Sequence, residues 1–432
     1  MSEPAALLRA VYADVLDHIR DRLQTWVPRC VGVVPDQLAD DGRVLLIAFG
    51  KAARPMAERA LATLAPIRER VHGLLVPAND DDAPLPPLEV VPGGHPLPTA
   101  GSFAAGRRAL QLAAGAGDQD FVVFLASGGG SSLLEVPLDD AVTVDGWRAF
   151  QQALVGSGAS IDRINAVRMR LSAVKGGRLG IAAGGARDVR TLFVSDVPGG
   201  VETIASGPTA MFEQPADTLR RDLDELQLWQ ALPEALRRRA ERDEIPPLPE
   251  MPDRVASRSC WMTIADEHHA RQRAAAHLRG SDVVVDDELD VDDLPYEIAA
   301  DRSLARLEQL ARRHPGRPVA VVVTGELSVP LPPSPGTGGR NLQFALRCAE
   351  RIAGRPITVL SCGTDGVDGN SPAAGAVVDG DTAARAATAG LDVDDHLRRC
   401  DAYPLLRQLG CAVEPGPTGT NVRDLRVLLK PA

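Results

Sequence analysis

No apolar run in the chain approaches the ~18 residues that a bilayer-spanning helix needs, so no membrane segment is expected. Cysteine is scarce. The six residues Cys30, Cys260, Cys348, Cys362, Cys400 and Cys411 are scattered with no CxxC pair. They read as reduced thiols of a cytoplasmic protein. Positive charge is outweighed, 47 Lys and Arg against 58 Asp and Glu, for a formal net charge of −11. That balance argues against a general nucleic-acid binder, and any polyanionic ligand must meet a local cationic site. There is no internal repeat of fixed period and no low-complexity tract beyond the proline loops. The N-terminus repeats Leu7, Val11, Val15 and Ile19, which reads as an amphipathic helix and not a signal peptide. What is present is a soluble globular composition, 44% hydrophobic and 24% charged. At 432 residues the chain exceeds one ordinary core, so two domains are expected.

The organising stretch is 121–136, FVVFLASGGGSSLLEV. Phe121 to Leu125 are too few for a typical helix and suit a buried strand. Ser127, Gly128, Gly129, Gly130 and Ser131 follow, and the apolar pattern resumes at Leu133 and Leu134 as a helix would begin. Strand, glycine turn and helix place backbone N–H groups around an anion. The glycines remove the Cβ atoms that would hold a phosphate away. Upstream, 43–50 (RVLLIAFG) is a buried strand leading into a helix at Met56, Ala60 and Leu64. Lys51 therefore sits at a strand's carboxyl end, where open α/β sheets bind ligands. Strand and helix alternate along this half, which predicts βαβ units. His95, between Gly94 and Pro96, reads as a hydrogen-bonded loop residue.

Downstream, Ile161, Ile164, Val167, Leu171 and Val174 recur at helical steps, with Gly176 and Gly177 as the stop. Arg168, Lys175 and Arg178 cluster at that end. They either complement the helix dipole or form a cationic patch for a carboxylate or phosphate. The strand 189–197 ends in Ser195 and Asp196 before a glycine-rich loop, a place for a metal ligand or a general base. The proline cluster at 245–252 (IPPLPEMP) reads as the domain boundary. His268 and His269 would point to different faces of one helix and cannot share a metal. The run VAVVVT at 319–324 is a buried strand. Arg340, after Gly338 and Gly339, falls at a helix N-terminus, which disfavours a cation unless an anion lies there. Asp365 and Asp368 look superficially like part of a calcium loop, but the closing Glu is missing.

Taken together, these motifs resemble the bacterial and archaeal glycerate 2-kinases, whose C-terminal half carries the MOFRL domain. The matching pieces are FGKAARPMA, GGHPLP, SGGGSSLLEVP, SGASIDRINAVRMRLSAVKGGRLG, SDVPGG with IASGPT, GTGGRNLQFAL, GTDGVDGNSPAAGA and GPTGTNVRDL, in that order. The resemblance implies an α/β protein of two domains: an N-terminal Rossmann-like domain with a doubly wound parallel sheet (1–250) and a smaller C-terminal MOFRL domain (256–432). The active site is implied in the cleft between them. It implies transfer of phosphate from ATP, with a divalent cation such as Mg²⁺, to the 2-hydroxyl of D-glycerate. The family's catalytic residues fall on Lys51, Asp196 and Arg340. The family has long carried the name hydroxypyruvate reductase, and that label is expected among relatives.

The chain departs from the family pattern where an acid is replaced by Gly200 and where Leu342 and Gln343 follow Asn341. Gly325 and Glu326 are kept, but the threonine that usually follows is not. On this reading Ser127, Gly128, Gly129, Gly130 and Ser131 hold the nucleotide phosphates, and Lys51 and Arg340 stabilise the transferring group. One comes from each domain, so the cleft would have to close. Asp196 serves as base or metal ligand, with Asp365 the second metal candidate. Arg168, Lys175, Arg178 and Asn341 are expected to bind substrate. The expected partners are ATP and a small hydroxy acid, without nucleic acid or membrane, and a homodimer is left open. Three alternatives stand beside this one: a kinase for a related hydroxy acid, a nicotinamide-dependent hydroxypyruvate reductase, and a non-catalytic phosphometabolite binder. No GxGxxG follows the first strand, which counts against the reductase.

Overall fold

A computed structural model describes residues 2–78, 83–210 and 218–432. The sequence predicts an irregular surface connection over 77–98 (PANDDDAPLPPLEVVPGGHPLP) and a helical stretch after Phe212; part of the first and the start of the second lie outside those residues. The chain divides into two compact units, one of Leu23–Ile264 and one of Met1–Arg22 with Ala265–Ala432.

The first unit is built on β1 (Val44–Phe49), β2 (Val71–Val76), β3 (Leu88–Val90), β4 (Phe121–Ser127), β5 (Asp188–Val194) and β6 (Ser259–Ala265). Every residue of β1 and β4 is buried, the mark of central parallel strands covered on both faces. The spatial order is β3-β2-β1-β4-β5-β6, and the pairs from β3 through β5 are parallel. This is the expected doubly wound sheet. Strand order reverses at β1, so the crevice outside the carboxyl ends of β1 and β4 is the topological switch point. Phe49 pairs with Ala126 there, which brings the turn at Lys51 beside the glycine loop. The expected boundary at 250–256 precedes β6, which still belongs to this sheet. The short edge strand β3 lies inside the proline-rich connection that had read as irregular.

The second unit carries β7 (Val284–Asp286), β8 (Val319–Thr324), β9 (Thr358–Gly363), β10 (Gly375–Asp379), β11 (Ala412–Val413) and β12 (Asp424–Lys430). Their order is β11-β10-β9-β12-β8-β7. β12 runs antiparallel between β8 and β9, so β8 and β9 point the same way and Asp424 starts where they end. The N-terminal helix Glu3–Val31 contributes its first part to this unit. Its buried stripe is Leu8, Val11, Val15 and Ile19, one residue off the expected Leu7. Polar groups complete the docking within the unit. Tyr12 Oη donates to the Gly363 carbonyl at 2.6 Å, and Asp14 accepts from Arg273 at 2.7 Å and meets His277 Nδ1 at 2.8 Å.

Candidate active site

At the switch point of the first unit, two turns are stitched together. The Lys51 N–H donates to the Gly128 carbonyl (2.9 Å) and the Ala52 N–H to Ser127 Oγ (2.9 Å). Ser127 is buried, so its hydroxyl holds the turn together, while the Lys51 side chain is exposed. The helix after the glycines is one turn only, Gly130–Leu133; the chain extends again at Leu134. Anion binding here thus falls to the loop's N–H groups and the first unpaired donors of that turn, with little help from a helix dipole. Asp196, two residues beyond β5, folds its carboxylate against this loop. A Cβ on Gly128 would lie 1.8 Å from Asp196 Oδ2. A Cβ on Gly129 would lie 2.9 Å from the His95 ring and 3.4 Å from Lys51 Cγ. Burial, followed by the charge of Lys51, pushes the His95 pKa down to about 4, so the imidazole is neutral at pH 7. His95, which had read as a plain loop residue, is part of this cluster. Lys51, Asp196 and the glycine loop are brought together as expected.

Gly128→Ala should displace the Asp196 carboxylate, because no side-chain carbon fits at that spacing. Turnover should fall about 10²-fold, the scale of losing one preorganised electrostatic group, with an unchanged circular dichroism spectrum. Steady-state kinetics beside the spectrum check it.

The expected cationic trio is dispersed. The helix runs Ile161–Leu171 and stops before Val174, Lys175 and the glycine pair. Lys175 is only 1% exposed, with Nζ 2.6 Å from Glu135 Oε2 and 3.2 Å from the Leu134 carbonyl. Glu135 also accepts from Ser172 Oγ (2.6 Å) and its neighbour's N–H. A substrate cannot reach such a lysine, so its expected carboxylate role is corrected to a structural one. Arg178 donates from Nη1 to the Met169 carbonyl at 2.7 Å, closing the end of the preceding helix. Burial, then the charge of Arg170, pulls its pKa down to about 10. Among the described residues Arg168 engages only through Nε, to Gln151 Oε1 at 2.9 Å. Both of its terminal nitrogens are left for a ligand, whereas Arg178 has only a buried Nη2 unengaged.

In the second unit Arg340 opens the helix Arg340–Arg351, and the anions that offset its position belong to the chain itself. Its Nε meets Asp424 Oδ2 at 2.7 Å, Nη1 meets Glu326 Oε2 at 2.9 Å, and Nη2 meets Glu326 Oε1 at 2.7 Å and Asp424 Oδ1 at 3.3 Å. Burial acts to lower the Arg340 pKa, but Asp424 and Glu326 outweigh it and the net shift is upward. Asp368 caps the helix, accepting from the N–H groups of Asn341 (3.1 Å) and Leu342 (2.8 Å). Burial, then the neighbouring Asp424, raises its pKa to about 7. Arg426 is fully buried, donating to Asp424 Oδ2 (2.9 Å) and the Gly325 carbonyl (2.9 Å). Asp424 and Arg426 went unnoticed in the sequence. Their signal was faint: Asp424 near the end of the matching piece GPTGTNVRDL, and Arg426 as a charge within a mostly apolar strand.

Asn341 is wholly buried. Its amide donates to Asp368 and accepts from Ser361 Oγ at 2.7 Å. The expected substrate contact at Asn341 is thereby corrected to a packing role at the helix start. Leu342 and Gln343 are also buried; Leu342 falls on a packing position, while Gln343 donates to the Leu397 carbonyl at 3.0 Å and borders the cavity beside Arg340. Gly200 differs. A Cβ there would lie 2.3 Å from Glu202 Oε2, so Glu202 brings a carboxylate to the place where the usual acid would begin. Asp365 accepts from the Val367 N–H at 3.2 Å and, with Arg340 and Asp368, lines a cavity of about 510 Å³.

Among the described residues no group of three or more His, Cys, Asp or Glu could cage a metal ion. Magnesium carried by nucleotide phosphates needs only one or two carboxylates. Asp196, an oxygen donor set against the glycine loop, fits that requirement. Among the described residues no helix is long and apolar enough to cross a membrane.

Known proteins are similar to this chain in sequence and fold. Residues 8–241 match the model of a domain of unknown function (DUF4147), and residues 319–424 match the MOFRL family. A glycerate 2-kinase of Pyrococcus horikoshii is 31% identical over 404 residues, spanning 90% of this chain and 87% of that protein. A protein of Agrobacterium vitis is 35% identical over 394 residues, spanning 90% of this chain and 99% of its own. It bears a provisional hydroxypyruvate reductase name, so the expected label does recur. A crystal structure of glycerate kinase from Thermotoga maritima superposes with a TM-score of 0.85 at 29% identity, covering 100% of both chains.

Proposed function

Since the chain belongs to the glycerate 2-kinase family, we propose that it transfers the γ-phosphoryl group of ATP to the 2-hydroxyl of D-glycerate. The products are 2-phosphoglycerate and ADP. The observation that carries this reading is the glycine loop at the β1/β4 switch point, with Lys51 on one side and the Asp196 carboxylate pressed on Gly128. Phosphoryl transfer asks a protein mainly for positioning and charge compensation. The N–H groups from Gly128 to Ser131 hold phosphate oxygens, and Lys51 offsets charge on the transferring group. Asp196 orients the attacking hydroxyl and takes its proton, or holds the cation. Magnesium, when bound with the nucleotide, supplies further charge neutralisation. Arg168 receives the substrate carboxylate through its terminal nitrogens, a geometry guanidinium favours. Arg340, protonated and fixed by two carboxylates, is the second catalytic cation of this reading.

Reduction with a nicotinamide cofactor is not favoured. The turn after β1 reads Gly50-Lys51-Ala52, without the glycine fingerprint that brings a pyrophosphate onto a helix. A related 2-hydroxy acid is the second reading, and Glu202 lying over Gly200 favours it. The test is ADP release with ATP, Mg²⁺ and D-glycerate, followed by identification of the phosphoglycerate formed. Accumulation of 2-phosphoglycerate is the expected result. The 3-isomer would overturn the position of transfer. ADP only with another hydroxy acid would overturn the acceptor, and none with any would overturn the kinase reading.

A further inference from the structure

Three motif fragments that lie apart in the sequence, SGGGSS, INAVR and IASGPT, meet in one chain of hydrogen bonds. Ser131 Oγ lies 2.9 Å from Ser206 Oγ, and Ser206 Oγ donates to Asn165 Oδ1 at 3.0 Å. Ser206 and Asn165 are buried, at 0% and 3% exposure, while Ser131 is half-buried at the loop. An amide oxygen only accepts, and a serine hydroxyl has one proton to give. Ser206 gives its proton to Asn165. The contact with Ser131 is therefore a hydrogen bond only if Ser131 is its donor. Ser131 is left offering lone pairs on its remaining side. A phosphate oxygen, itself an acceptor, gains nothing from such a hydroxyl. A ligand O–H does.

The surroundings hold this arrangement in place. Ala205 and Ser206 take φ values of +54° and +59°, a region that residues with side chains seldom adopt and that tends to mark functional sites. Gly130 allows the close approach, since a Cβ there would lie 2.6 Å from that of Ala205. On the other flank Gly176 N–H donates to the Ser206 carbonyl (3.2 Å) and Gly177 N–H to that of Gly207 (2.7 Å).

We infer that Ser131 accepts a hydrogen bond from the hydroxyl of the hydroxy acid that is not phosphorylated, with Ser206 and Asn165 as positioning residues that fix its direction. This rests on the kinase reading above and names what that site recognises: a 2-hydroxy acid carrying a second hydroxyl. The reacting hydroxyl is excluded because it must surrender its proton. The chain from Ser131 ends on an amide, which is no base and cannot receive one. A hydroxyl that keeps its proton through the reaction is the fitting partner.

The experiment compares D-glycerate with D-lactate, which lacks the 3-hydroxyl, reading turnover for the first and turnover or competitive inhibition for the second. In Ser131→Ala the preference for glycerate should fall about tenfold or more, the scale set by a lost recognition bond to a substrate hydroxyl. KM for ATP should stay within about twofold, since such a loss concerns only the acceptor. Ser206→Ala and Asn165→Ala should move the same preference in the same direction. Asn165→Asp, which keeps an acceptor facing Ser206, should recover most of the Asn165→Ala loss. Equal losses on both acids, an unchanged preference in Ser131→Ala, or a shift confined to KM for ATP would each overturn the inference. Those outcomes require an active wild-type enzyme. A wild type that neither binds nor phosphorylates D-glycerate would instead overturn the kinase reading, and this inference with it.

Discussion

Arg340→Ala should lower turnover per folded molecule by about 10²–10³-fold, the range for removing one preorganised charge from a transition state. KM for ATP should change less than about threefold, because the glycine loop is untouched. The physical basis is the fixed guanidinium, which is forked onto both Asp424 and Glu326. Arg340→Lys should keep the charge but recover only part of the rate, since an ammonium cannot make two forked pairs. The alanine variant also leaves Asp424, 3% exposed, with Arg426 as its one paired cation among the described residues. Breaking buried pairs of this kind costs on the order of 3 kcal/mol, and the remaining partner here should make the loss smaller. Burial works against ionisation of Asp424, but Arg340 and Arg426 outweigh it and hold its pKa below the usual value. The stability linked to it is present above the ordinary aspartate range and is lost as pH falls through the lowered pKa. In Arg340→Ala that acid-side loss should begin at higher pH. Urea titrations at several pH values separate this effect from the loss of turnover. A variant with wild-type turnover would leave Arg340 as a strut and nothing more.

Lys175→Met should be the most destabilising single change in the first unit, by about 3–5 kcal/mol. It leaves the Glu135 carboxylate, 1% exposed, with Ser172, a backbone N–H and the neighbouring charge of Arg168. Burial pushes the Lys175 pKa down even though Glu135 opposes the shift. The ammonium is therefore held in place by that carboxylate and the Leu134 carbonyl. The double variant Glu135→Leu with Lys175→Met should regain most of the loss, because replacing a whole buried pair by apolar groups is often neutral. Urea unfolding of the wild type, the single and the double variants decides it. A Lys175→Met protein of normal stability but raised KM for the hydroxy acid would restore the substrate-binding role that the sequence suggested.

These two residues show how far the sequence could be read. Both were conspicuous, as cations next to glycine pairs where an anion was expected. For Arg340 the anion exists, but it is Glu326 and Asp424 of the same unit. For Lys175 it is Glu135, forty residues away in the chain and 2.6 Å away in space. Composition at a helix end records that a charge needs a partner. It does not record whether that partner is a ligand or another part of the protein.

By itself the sequence determined the parallel sheet of the first unit. β1 and β4 are runs of apolar residues long enough to be buried on both faces, and a local pattern of that kind needs no knowledge of neighbours. It also determined the glycine loop with Lys51 at a strand's carboxyl end, and the family. The short strands β3, β7, β10 and β11 were not legible, since two to five residues at or near an edge carry too little periodicity. Tertiary structure alone decided which polar residues are spent inside the protein. Asn341 and Lys175 went to the interior, Glu202 was set over Gly200, and Ser131, Asn165 and Ser206 were joined into one directed chain. Hydrogen-bond direction and charge pairing depend on which atoms meet across the fold, and chain spacing does not encode those meetings.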